Sequence, residues 1–154
     1  MDDLPPGMLQ EGRSVDPDFA EDERLYRRVR PKAWFEPPLE MELDVVDAVN
    51  MSVNRSKYGP PEWVRLGENS DWGVIFIAVG RLPSERHHHG STFSIHPQHV
   101  PHKRNYPHSE IWVHHPGGNR VLKEEELDPV FSMAWREFLL RIAKIALRPT
   151  TREG

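Results

Sequence analysis

The stretch GVIFIAVG at residues 73–80 constrains the fold more than any other, because it holds six consecutive apolar residues between two glycines. Such a run is too short for a helix and has no polar face, so it reads as a central strand covered on both sides. A chain of 154 residues can supply one sheet and its covering layers as a single domain.

A covering element stands near the C-terminus. Asp128 suits an N-cap and Pro129 the first helical position. Phe131, Trp135, Phe138, Ile142 and Ala146 then recur at helical spacing, with Arg136, Glu137, Arg141 and Lys144 among the polar positions. The pattern predicts one long helix ending near Leu147, before Pro149. Further strands are predicted at LYRRVRP (25–31), NMSVN (50–54), STFSIH (91–96) and EIWVHH (110–115), the last leading through a PGGN turn into RVLKE as a hairpin. Alternation puts Met51 and Val53 on one face with Ser52 and Asn54 on the other, and turns Phe93 and Ile95 inward.

The expected fold is therefore α+β: a small mixed or antiparallel sheet with one long C-terminal helix packed on a face. Residues 1–23 are acidic, rich in proline and glycine and poor in apolar side chains, and read as a flexible acidic tail. Residues 24–148 form the domain and 149–154 a C-terminal tail. With 24 acidic and 20 basic residues, net charge −4, there is no global basic footprint for nucleic acid. The absence of cysteine excludes disulfides, thiolate metal sites and cysteine nucleophiles. No apolar run approaches a membrane span and the N-terminus lacks a signal-like segment, so a soluble, cytoplasmic protein without membrane contact is expected.

All nine histidines fall between positions 87 and 115. RHHHG (86–90) reads as a solvated hairpin loop that recruits metal only adventitiously, since adjacent side chains of an extended chain alternate. His96, His99 and His102 carry the spacing of a metal motif, but Pro97 and Pro101 forbid a regular helix. In a polyproline II segment the rings would sit roughly 9 Å apart, too far to share an ion held by bonds of about 2.0–2.1 Å. No metal ligand is assigned.

NYPHSE (105–110) is the expected chemical centre. His108 is a candidate acid–base catalyst and Glu110 its orienting partner or a second base, with Asn105 and Tyr106 as candidate ligand contacts. SVNRSKYG (52–59) adds Arg55 as an anion clamp, with Asn54, Lys57 and Tyr58 beside it. Together they suggest a metal-independent enzyme, or an enzyme-like binder, acting on a phosphate-bearing ligand (a nucleotide or phosphodiester, as a small molecule or within nucleic acid met by a local patch); no cofactor is assigned. A non-catalytic interaction module with a protein partner, exposing Trp34, Trp63 or Trp72, is the alternative. A histidine-based metal or pH sensor is a lesser one.

The order of three patches resembles that of ADP-ribosyltransferases: Arg28 or Arg30 in LYRRVRP, Ser52 in MSVN, and Glu110 opening HSEIWVHHPG. The resemblance implies NAD as ligand. It departs from that family in lacking Ser-Thr-Ser around Ser52 and in carrying His at 108, where Gln or Glu is common. Phosphate-binding glycine loops, G-x-S-x-G and H-E-x-x-H are all absent.

Overall fold

A computed structural model describes residues 4–118 and 120–150. Seven strands form one antiparallel sheet: β1 (Arg24–Val29), β2 (Met51–Arg55), β3 (Gly73–Ala78), β4 (Glu85–His88), β5 (Ser91–His99), β6 (His108–His114) and β7 (Lys144–Leu147). Their order is β4-β5-β6-β2-β1-β3-β7. The single α-helix, α1 (Pro129–Ile142), packs on one face.

The apolar run behaves as its composition demands. Ile75 and Ile77 of β3 enter the main core with Leu25, Val53, Ile111, Phe131, Trp135 and Leu139. Val74 and Phe76 point the other way and pack with Tyr26, Val64 and Leu147. Trp135 is fully buried beneath the helix, and the Asp128 carboxylate caps α1 by accepting from the Val130 amide at 2.9 Å.

The helix is shorter than its periodicity suggests. It stops at Ile142, and residues 144–147 leave it to pair with β3 as an edge strand, which places Ala146 on the sheet. Ile145 and Leu147 gain hydrogen-bonded neighbours there that a fifth helical turn could not provide. The RVLKE segment returns along β6 as a short hairpin arm through the His114–Val121 bridge, with the His115 amide donating to the Arg120 carbonyl at 2.8 Å and the Leu122 amide to the Val113 carbonyl at 2.7 Å. Asn119 of the turn before it lies outside the described residues. RHHHG is a tight hairpin: His87 and His88 belong to β4, and His89 and Gly90 turn the chain with positive φ.

His96 and His99 lie within β5, not in polyproline II. Pro97 is tolerated because β4 pairs only with residues 91–94, leaving that stretch of β5 without a neighbour on one side. The three rings separate. His96 lies against His114, His99 is buried against Tyr106, and His102 stacks on His108.

The N-terminal segment is the largest correction. Residues 1–3 lie outside the described residues, but residues 4–23 are not a free tail; they run along the domain and bury Met8 and Glu23. Arg55, with no exposed side-chain surface, explains why. Its guanidinium donates to both Glu23 carboxylate oxygens at 2.6 and 2.9 Å and to the carbonyls of Asp16 and Asp18 at 2.6 and 2.5 Å. Phe19 covers its flat face at 3.8 Å. Asp16 also accepts from Lys57 at 2.7 Å and from the Tyr58 hydroxyl, while its amide donates to Nδ1 of the buried His99 at 2.9 Å. The segment is thus held by charge and hydrogen bonding together with the apolar contacts of Met8 and Phe19. At the other end of the chain, the Thr150 amide donates to the Asp71 carbonyl at 3.0 Å, and residues 151–154 lie outside the described residues.

Replacing Arg55 with Met leaves the Glu23 carboxylate buried without its partner. The expected loss is about 3–5 kcal/mol, the cost of breaking a buried ion pair from one side, read from the midpoint of urea unfolding. A loss below about 1 kcal/mol, the scale of an exposed pair, would mean that Arg55 does not hold the segment.

Candidate functional site

The face of the sheet opposite α1 carries the polar residues of the middle strands. On β2, Ser52 and Asn54 point to it while Met51, Val53 and Arg55 point to the core side. On β6, strict alternation brings His108, Glu110, Trp112 and His114 to the same face, against Ile111 and Val113 in the core. The antiparallel register then sets Asn54 opposite His108 and Ser52 opposite Glu110.

A cavity of about 650 Å³ opens on this face. Its floor is Tyr26, Arg28, Ser52 and Asn54, and its walls include Trp63, Trp72, His102, Asn105 and His108. Trp63 can lie over the chain because Gly7 and Gly59 present no side chain; a Cβ at either position would run into its ring. Trp72 has the Arg28 guanidinium 5.3 Å from its ring centre. Among the described residues no carboxylate forms an ion pair with Arg28.

His108 is buried in the cavity wall and its orientation is fixed. Nδ1 donates to the Val100 carbonyl at 2.8 Å, which leaves Nε2 unprotonated to accept from the Ser52 hydroxyl at 3.2 Å. Burial pushes its pKa below the ordinary value of 6.5, and the stacked His102, 3.6 Å away between ring centres, pushes the same way. The ring is thus kept in its basic, neutral form beside a hydroxyl that faces solvent. Such a pair can accept a proton from a bound hydroxyl, from water, or from Ser52 itself as nucleophile. The wall is completed by a reciprocal amide pair: Asn54 Nδ2 donates to Asn105 Oδ1 at 3.0 Å and Asn105 Nδ2 to Asn54 Oδ1 at 2.8 Å.

The eight residues singled out from the sequence divide between two places. His108, Asn54 and Asn105 line the cavity. Glu110 is on the same face but does not orient His108, whose nitrogens are taken by Val100 and Ser52; its carboxylate accepts from Trp112 Nε1 at 2.9 Å. Arg55 points to the opposite side, with Glu23 and the carbonyls of Asp16 and Asp18 as partners, so an anion clamp there is ruled out by burial. Lys57 and Tyr58 bind Asp16. Tyr106 is buried, its hydroxyl donating to the Ser14 carbonyl at 2.6 Å.

Ser52 and Arg28 are the cavity residues that acid–base and anion-clamp reasoning passed over. Only the resemblance to ADP-ribosyltransferases pointed to them. Alternation alone could have found them, since each lies on a strand with the opposite face committed to the core. Trp34, Trp63 and Trp72 are all half-buried. No family model, curated protein or solved structure matches this chain.

His99, His108 and His114 share a protonation signature. Burial lowers all three below 6.5; in His99, Nε2 donates to the Tyr106 carbonyl at 2.7 Å while Nδ1 accepts. The unfolded chain therefore takes up protons at these sites before the folded protein does. Stability is full at high pH and falls as pH drops through about 6.5 toward the depressed folded values. Urea midpoints at pH 7.5 and 5.5 test this; a midpoint unchanged or higher at pH 5.5 contradicts it.

Proposed function

We propose that this protein is a metal-independent enzyme, or an enzyme-like binder, that takes a phosphate-bearing nucleotide ligand in the open-face cavity. One observation carries the reading: three segments far apart in sequence bring Arg28, Ser52 and His108 to one cavity, where His108 Nε2 lies 3.2 Å from the Ser52 hydroxyl. Arg28 replaces Arg55 as the cation for phosphate, since its guanidinium is exposed and lacks an anionic partner among the described residues. The Trp63 and Trp72 rings offer flat surfaces for a base. His108 is the proton acceptor, and Ser52 is either the nucleophile or the hydroxyl that aligns a water.

A second reading narrows the first. Arg28, Ser52 and Glu110, the three residues whose order resembles ADP-ribosyltransferases, occupy the same face, with Ser52 opposite Glu110 in the register. The ligand would then be NAD. Its nicotinamide–ribose bond would break with nicotinamide leaving, Glu110 would stabilise the cationic ribose as that bond opens, and a water that gives its proton to His108 would form the new bond at the ribose carbon.

Calorimetry with NAD, ADP-ribose, ADP and inorganic phosphate is expected to show binding of at least one nucleotide, weakened tenfold or more by Arg28→Gln. His108→Ala is expected to abolish turnover while the protein stays folded, and EDTA to leave turnover unchanged. Release of nicotinamide from NAD selects the second reading, and phosphoester cleavage alone selects the first. If no nucleotide binds at millimolar concentration, the proposal fails and the cavity is a surface for another partner.

A further inference from the structure

We propose that His88, His89 and Asp128 form a binding site for a divalent transition-metal ion of the zinc type, at the tip of the β4–β5 hairpin. The site stands apart from the open-face cavity: His88 turns to the helix side of the sheet, where its ring meets Phe131 of α1 edge-on at 5.5 Å. The proposal does not rest on the nucleotide reading.

Adjacent side chains of an extended strand point to opposite faces, so two successive histidines should diverge. Here the backbone prevents that. His89 has φ +49° and Gly90 φ +78°, so the chain reverses between them. Glycine, asparagine and aspartate are the usual residues at such a turn, because a β-carbon is disfavoured in the left-handed region. Histidine occupies the position instead, and the turn folds its ring onto His88 with centres 3.9 Å apart and planes 22° from parallel.

Asp128 completes the set. One carboxylate oxygen, Oδ1, is held by the Val130 amide in capping the helix. That fixes the direction of Oδ2, which lies 2.8 Å from His88 Nε2 and 4.0 Å from His89 Nδ1. One donor atom from each residue falls within 4.8 Å of the others. An ion with bonds of 2.0–2.1 Å in tetrahedral geometry sets its ligand atoms about 3.3 Å apart. The observed separations lie on both sides of that value, and the exposed His89 ring must turn out of its stack on His88 for the in-plane lone pairs of both rings to meet at one ion.

The ligands differ in mobility. His88 is 15% exposed and packed, whereas His89 is 76% exposed and free to swing onto an ion. Two imidazoles and a carboxylate, without thiolate, select zinc, nickel, cobalt or copper over magnesium and calcium. The remaining coordination positions fall to water. A bound ion would tie the tip of the edge hairpin to the start of α1.

The test is calorimetric titration of the tag-free full chain with zinc chloride, with calcium chloride as control. One equivalent of zinc is expected to bind and calcium not to. His89→Ala and Asp128→Asn are each expected to weaken zinc at least tenfold; asparagine is as good an N-cap as aspartate, so the second variant keeps its helix. Wild-type Tm is expected to rise by about 5–10 °C at a zinc concentration roughly a hundred times Kd, and this rise to vanish in both variants. His96→Ala, at the other paired histidines, is expected to change nothing. The proposal is overturned if zinc does not bind saturably, if both variants retain wild-type affinity, or if His96→Ala removes binding.

Discussion

A guanidinium cannot be discharged at any pH a protein survives, so Arg55, which ends β2 on the core side with no exposed surface, must be met by anions and carbonyls wherever it is placed. The sheet does not supply them. Leu25 lies opposite it on β1, and its own amide is used by the Pro107 carbonyl. The partners come from residues 16–23, which explains why a segment with so few apolar side chains is ordered. The buried cation gives this segment its polar anchor, and Met8 and Phe19 add buried apolar contacts to it.

The same strand links that cation to the cavity. Because successive side chains of β2 alternate, Arg55 and Asn54 belong to different faces, and one strand end serves two structures. On the core side it gathers the N-terminal segment. On the open side it presents Ser52 and Asn54 to His108 and Asn105. The N-terminal segment then reaches round to the second structure. Its Gln10 amide donates to the Lys103 carbonyl at 3.0 Å, and its Met8 carbonyl accepts from the Tyr106 amide at 2.8 Å. These bonds hold the His102–Asn105 turn, which stacks His102 on His108.

What could be read from the sequence follows from where the relevant forces act. Local alternation and helix capping are short-range, so the faces of β2, β5 and β6, the two-sided burial of β3 and the Asp128 cap were all legible. The end of α1 was not. Ile145, Ala146 and Leu147 fit a helix stripe as well as a strand, and only pairing with β3 decides between them. Arg55, Lys57 and Tyr58 were misread for a different reason. A basic cluster at a strand end is equally suited to a ligand phosphate and to Asp16, 39 residues before Arg55, and sequence distance carries no mark of which anion arrives. The pairing of Ser52 with His108 was hidden likewise, since it depends on register across 56 positions.

The two buried histidines, His99 and His108, are oriented by carbonyls, whereas His88 and His115 meet carboxylates. His99 donates from Nε2 to Tyr106 and His108 donates from Nδ1 to Val100, so the two rings are opposite tautomers, each fixed by a neutral acceptor. A carboxylate in either place would favour the imidazolium and raise the pKa. A carbonyl fixes direction without adding charge, and burial then keeps the ring neutral. For His99 this yields a structural link that accepts the Asp16 amide. For His108 the same device aims Nε2 at the Ser52 hydroxyl in the open cavity. Glu110, two residues on, takes no part in orienting His108, because the main chain already does so, and its carboxylate accepts from Trp112 Nε1 instead.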